Sequence, residues 1–258
     1  MTTLPPIDQL AQMIDHSLLH PTMTDKDLEA GCTLARTWDC ASVCIKPYAV
    51  PMARTRLLGS RTLVCTVVGF PHGNSTIGIK VAETVRAAVE GAQEIDMVIN
   101  IGKALSDDWS YIQTEIGEIN SAAKVHGATV KVIFENDHLD DARIVQLCKI
   151  CTAVGVAFVK TSTGYGFVKQ PDGNNITKGA TDHHLELMVK SIGKGVQVKA
   201  AGGVRTLNDL LRVRALGVTR VGATATVAML SEARQRLGLA PMSAEKAAEK
   251  ATAAGAGY

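Results

Sequence analysis

The sequence predicts a single α/β domain of the (β/α)8 TIM-barrel class, and three observations carry that expectation. Eight short apolar, β-branched runs alternate with eight longer amphipathic ones from residue 11 onward. Each strand and helix pair takes about 25 to 30 residues, the repeat length of this barrel. Glycines follow the helical runs closely, so the helix-to-strand connections are short and the opposite ones long. A doubly wound sheet would usually need fewer strands.

The first strand is read in QMIDHSL at 12–18, followed by a helix at 24–36. Thr24 offers an N-cap hydroxyl ahead of Asp25, Asp27 and Glu29, acids that suit the positive end of a helix. CASVCI (40–45), TLVCTVVGF (62–70) and EIDMVIN (94–100) follow as strands, with helices at 48–58, 76–90 and 108–126. ATVKVIFE (128–135), VAFVKTS (156–162), VQVKAA (196–201) and RVGAT (220–224) complete the set, with helices at 139–153, 181–193, 206–216 and 224–236. Gly91, Gly127, Gly155 and Gly217 stand where helices end in a left-handed residue. The glycine-rich stretch 164–180 follows the sixth strand, where a barrel's active site lies, and is placed to act as a lid. The barrel is expected to fill residues 1–239. An Ala- and Lys-rich tail, 240–258, ends in Tyr258, which could reach back to the barrel mouth.

Bulk composition removes several functions. Net charge is +2 and aromatics are 4%, which argues against nucleic acid, where a basic face and stacking rings are needed. No apolar run approaches a membrane span, and the N-terminus has neither a charged start nor an apolar signal core, so a cytoplasmic location is expected. The six cysteines suit that compartment as packed thiols, because the one C-x-x-C pair, Cys148 and Cys151, has no second pair to complete a zinc site.

Four lone charges interrupt the strand-like runs: Asp96, Lys131, Lys160 and Lys199. A buried ionised group costs several kcal/mol unless paired or shifted in pKa, so four of them mark a reaction centre. Side chains alternate faces along a strand. Asp96 shares a face with Val98 and Asn100, Lys131 with Ile133 and Glu135, Lys160 with Val156 and Phe158, and Lys199 with Gln197. The intervening apolar residues then pack outward on the helices, and all four charges point into the barrel. Neighbouring strands lie about 4.8 Å apart, which brings Lys160 and Lys199 close together. Two unit charges 4 Å apart repel by roughly 4 kcal/mol at an effective dielectric near 20, about three pKa units, so one amine should be neutral near pH 7. A neutral lysine attacks carbonyl carbon, and the iminium formed is an electron sink for breaking the neighbouring bonds. This is Schiff-base aldolase chemistry, with the second lysine and Asp96 left to tune and move protons.

Gly202 and Gly203 after the seventh strand, and Gly222 with Thr224 after the eighth, stand where this fold usually cradles phosphate, with Arg205 as a counter-charge. His183 and His184 lie side by side on a helix and His16 and His20 near the first strand, so no convergent metal triad is evident.

VKTSTGYGF (159–167) and VKAAGGVRT (198–206) closely resemble the deoxyribose-phosphate aldolases, as do IDHSLL (14–19), SVCIKPY (42–48), FPHGN (70–74), EIDMVIN (94–100) and Tyr258. The resemblance implies the fold above and reversible cleavage of 2-deoxy-D-ribose 5-phosphate to acetaldehyde and D-glyceraldehyde 3-phosphate. It assigns the Schiff base to Lys160, its perturbation to Lys199, proton relay to Asp96 and a proton transfer at the acetaldehyde methyl carbon to Tyr258. Lys131, one of the four inward charges, joins these as a candidate catalytic residue, and Gly164, Asp15 and Cys44 join Gly202, Gly203, Gly222 and Thr224 as candidate substrate contacts. The resemblance implies no metal or cofactor, aldehyde and phosphosugar partners, no nucleic acid or membrane, and a homodimer.

Two departures stand out. Ala225 occupies a position where relatives commonly carry a second serine, which predicts weaker phosphate binding. Lys46, beside Cys44, stands where relatives often have a neutral residue and could return charge toward the phosphate. The alternatives are a Schiff-base aldolase of another sugar, phosphorylated or not, and a non-catalytic sugar-phosphate-binding barrel.

Overall fold

The computed structural model describes residues 4–169 and 171–242. Eight parallel strands close into a barrel: β1 Ile14–Leu18, β2 Ser42–Ile45, β3 Leu63–Val68, β4 Glu94–Val98, β5 Thr129–Ile133, β6 Phe158–Lys160, β7 Gln197–Ala201 and β8 Arg220–Ala223. Each pairs with its sequence neighbours, and β8 returns to β1 with Asp15 beside Gly222. All eight predicted strands are present, each shorter than its apolar run.

The predicted helices appear as Asp25–Thr37, Val50–Arg56, Ile77–Glu90, Trp109–Val125, Asp141–Val154, Asp182–Ser191, Leu207–Ala215 and Thr226–Arg236. Thr24 closes a capping box with Asp27, and Gly91, Gly127, Gly155 and Gly217 all take positive φ. Two short helices were not anticipated, Ile7–Ala11 and Ile101–Leu105. In the second, Asn100 leaves the strand and its side chain accepts a hydrogen bond from Lys103 N, capping the helix rather than facing the barrel interior. Within the expected lid, residues 168–169 and 175–176 pair as a small antiparallel hairpin.

The main core lies between barrel and helices. Ile95, Met97, Val130, Val132, Phe134, Val159 and Val198 face outward into it, the parity read from the sequence. All six cysteines are buried and unpaired, and no helix among the described residues is long and apolar enough to cross a membrane. Tyr258 and most of the tail lie outside the described residues.

Candidate active site

The barrel interior holds an ionised network. Lys160 and Lys199 are register partners on β6 and β7, and both donate to Asp96 Oδ2, at 2.8 and 2.7 Å. Lys131 on β5 lies 3.0 Å from Asp96 Oδ1 and 2.6 Å from Glu94 Oε2. Asp15 on β1 bridges Lys199 at 2.5 Å, Lys131 at 3.3 Å and Arg220 at 2.6 Å, and Arg220 also reaches Glu94 at 3.0 Å. Phe158 packs its ring under both Arg220, 5.1 Å away, and Lys131, 6.0 Å away.

Glu94 and Arg220 were missed by the sequence reading. Strand parity could have found both, since Glu94 lies two residues before Asp96 and Arg220 two before Gly222. They change the charge account: four cations, Lys131, Lys160, Lys199 and Arg220, meet three carboxylates, Asp15, Glu94 and Asp96. The predicted repulsion between Lys160 and Lys199 is therefore offset by Asp96, which lies between them. Burial would lower the Lys199 pKa, but Asp15 and Asp96 overcome it and hold that amine well above its ordinary value. Burial likewise opposes charge on Asp96, yet Lys131, Lys160 and Lys199 hold its carboxyl well below the usual range.

Above this network opens a cavity of about 390 Å³, lined by Lys160 and Lys199 and by Cys44, Gly164, Gly202, Gly203, Arg205, Gly222 and Thr224. Most predicted substrate contacts thus converge. Gly164, Gly202 and Gly203 have φ of +82°, +85° and +88°, a region where a side chain is strained, and a Cβ on Gly202 would meet Gly179 Cα at 3.0 Å. Leu19, Cys44, Cys65 and Val67 form a small apolar cluster with Phe70 and Tyr165 packed against it, and Leu19, Cys44 and Tyr165 also line the cavity.

Three predicted residues do not line this cavity. Asp15 is fully buried among Lys131, Lys199 and Arg220, because its β1 face reaches the cavity only two residues later, at Ser17. Lys131 and Asp96 are also fully buried, and Lys131 touches the site through Asp96. Cys65 joins this buried layer, 3.1 Å from both Asp96 Oδ1 and Lys131 Nζ. Lys46 turns away from the cradle: its ammonium donates to the carbonyls of Met23 and Pro21, at 2.9 and 3.4 Å.

The histidines divide. His16 Nδ1 lies 2.9 Å from Thr226 Oγ1, His20 lines the cavity, and His183 pairs with Asp141 at 2.8 Å. Asp141, His183 and His184 do converge, with ligand atoms within 4.8 Å of one another, a grouping that sequence spacing concealed. It lies on the outside of the barrel and none of its members lines the cavity.

The family model for DeoC/LacD family aldolases matches residues 9–230. The chain belongs to that aldolase family. The deoxyribose-phosphate aldolase of Rhodopirellula baltica is 48% identical over 230 residues, covering 89% of this chain and 91% of the relative. The deoxyribose-phosphate aldolase of Caldanaerobacter subterraneus subsp. tengcongensis is 42% identical over 224 residues, covering 86% and 93%. Among solved structures, the deoxyribose phosphate aldolase of Aeropyrum pernix, described as tetrameric, aligns with a TM-score of 0.77 at 28% identity, over 90% of this chain and 93% of that one.

Proposed function

We propose that this chain is a deoxyribose-phosphate aldolase that uses Lys160 as its Schiff-base nucleophile. One observation carries the choice of lysine: both lysines border the cavity, but Lys160 contacts one carboxylate and Lys199 two. Lys160 therefore has fewer carboxylate contacts to give up when its nitrogen adds to a carbonyl carbon.

The reaction then proceeds on the open-chain sugar. Lys160 Nζ adds to the C1 aldehyde, and loss of water gives the iminium. The C3 hydroxyl gives up its proton, its electrons form a carbonyl, and the C2–C3 bond breaks into the iminium to leave an enamine. Glyceraldehyde 3-phosphate departs, C2 takes a proton, and water returns Lys160 and acetaldehyde. Asp96, held between Lys160 and Lys199, relays protons. Tyr258 is proposed for the proton at C2.

The phosphate is assigned to the backbone of Gly202, Gly203 and Gly222 with Thr224 and Arg205. No resident metal or cofactor has a role in this scheme. The six thiols support a cytoplasmic location, and a homodimer is the proposed assembly, which light scattering tests directly.

Borohydride reduction in the presence of deoxyribose 5-phosphate, followed by intact mass and peptide mapping, tests the proposal. An adduct on Lys160 that is lost in Lys160→Ala supports it. An adduct on Lys199, or none, overturns it.

A further inference from the structure

β5 ends at Ile133, and two residues later the chain makes a turn the mechanism does not use. Glu135 takes φ 58° and ψ 62°, a left-handed conformation that a residue with a side chain holds only where its surroundings enforce it. The turn buries the carboxyl beneath the loop that follows β6; the residue is 2% exposed. Among the described residues its side-chain hydrogen-bond partners all belong to Thr163: the backbone N–H donates to Oε1 and Oε2 at 3.3 and 3.2 Å, and the hydroxyl donates to Oε2 at 2.5 Å. Burial raises the carboxyl's pKa and the Thr163 bonds lower it, the upward effect prevailing.

Thr163 passes this constraint on. Its Oγ1 accepts hydrogen bonds from Tyr165 N at 2.9 Å and Gly166 N at 3.1 Å. A hydroxyl has one hydrogen and two lone pairs, so the Glu135 oxygen directs the hydrogen and leaves both lone pairs to curl the loop. Gly166 runs so close beneath that a Cβ there would lie 2.7 Å from the Glu135 carboxyl carbon. The loop thus held, Thr163, Gly164 and Tyr165, lines the cavity three to five residues beyond Lys160.

We infer that Glu135 is a positioning residue: through Thr163 it holds the loop after β6 as the wall of the cavity that receives the sugar phosphate. It touches neither substrate nor Lys160. The inference rests on the aldolase reading, and the experiment separates the two. Glu135→Ala, Glu135→Gln, Thr163→Val and the Glu135→Ala/Thr163→Val double variant are assayed for KM and kcat on deoxyribose 5-phosphate. In parallel, Lys160 is trapped with acetaldehyde and borohydride, because a two-carbon aldehyde needs the amine but not the loop wall.

Glu135→Ala and Thr163→Val should each raise KM about 10-fold to 100-fold, the range for losing a hydrogen bond to a charged group. The double variant should be no worse than the worse single one. Glu135→Gln, which keeps an acceptor, should restore most of the loss, and acetaldehyde trapping should persist in every variant. An unchanged KM in Glu135→Ala overturns the inference. So do additive effects of the two substitutions, or trapping and thermal stability lost together in both Glu135 variants. Failure of the wild type to trap acetaldehyde on Lys160 would defeat the aldolase reading instead.

Discussion

The floor and the mouth of this barrel are built from opposite materials. The floor is side-chain charge: Asp15, Glu94, Asp96, Lys131 and Arg220 arise from the strands themselves, the first four buried and the Arg220 side chain 13% exposed. The mouth is backbone: Gly164, Gly202, Gly203 and Gly222 come from strand ends and loops, with Arg205 and Thr224 supplementing them. Lys160 and Lys199 lie at the boundary. Rigid strands hold charges whose mutual distances set proton affinity, where a displacement of 1 Å matters. In the proposed cradle, loops would present N–H groups to a phosphate that tolerates small adjustments. Substitutions in the floor should therefore change kcat and stability together, and substitutions in the mouth should change KM.

The largest effect is expected at the boundary. Lys160→Ala removes the proposed nucleophile, and cleavage of deoxyribose 5-phosphate should fall by on the order of 10⁴-fold to 10⁶-fold, as when other covalent nucleophiles are removed. Binding of the phosphosugar, measured calorimetrically, should survive because the cradle is intact. Loss of binding to the same degree would erase the distinction between the two regions.

Within the floor, Asp96→Asn leaves three ammonium groups without their shared anion. Breaking a buried ion network by removing one partner costs about 3–5 kcal/mol, and losing proton relay costs about 10²-fold to 10⁴-fold in kcat. Glu94→Gln tests the deeper layer, which has no contact with the cavity. It should lower the denaturation midpoint with a smaller effect on kcat, and a kcat loss equal to that of Asp96→Asn would make the floor one catalytic unit.

The two regions also differ in how legible they were. The inward parity of Asp96, Lys131, Lys160 and Lys199 could be read because each charge stands alone in an apolar run, with a strand's period of two around it. Glu94 and Arg220 were hidden because they open their strands, where a charge looks like a loop residue. Lys80 shows the limit of this reasoning. It sits in a helix with nothing to distinguish it from a surface lysine, yet it is fully buried, with its ammonium 2.7 Å from Glu115 and 2.6 Å from the Gly73 carbonyl. Its partners are distant in sequence or are backbone atoms, so no local pattern contains them. The Glu135 turn was invisible for the same reason: it read as the last inward residue of β5, and only the packed loop after β6 explains its conformation.

Acid should act on the frame before it acts on the floor. Burial lowers the His16 pKa to about 4, against about 6.5 for the free side chain. The unfolded chain then binds the extra proton between those values, so stability falls as pH drops from about 6.5 toward 4, by roughly 3 kcal/mol in all. Asp15 and Asp96 are held below the ordinary carboxylate range, and their contribution is lost only at lower pH, as the solution passes below the carboxylate pKa of the unfolded chain. Denaturation of His16→Gln across this window should show a flatter acid limb than the wild type. An unchanged limb would remove His16 as its source.

The smallest effect is expected beside the mouth, at Ala225. Thr224 lines the cavity, but Ala225 does not. Ala225 is the N-cap of the helix Thr226–Arg236, and no side chain caps that helix. A serine introduced there has two uses for its hydroxyl: accepting a hydrogen bond from the first helical turn, or donating one to a phosphate. The backbone position favours the first. Ala225→Ser should stabilise the protein by about 0.5–1 kcal/mol, a rise in Tm of about 1–4 °C for a domain of this size, while KM for deoxyribose 5-phosphate changes little. A KM that falls several-fold with no change in Tm would place residue 225 in the cradle instead. The weaker phosphate binding expected from the sequence would then be real, with its cause in the missing hydroxyl rather than in the backbone that builds the mouth.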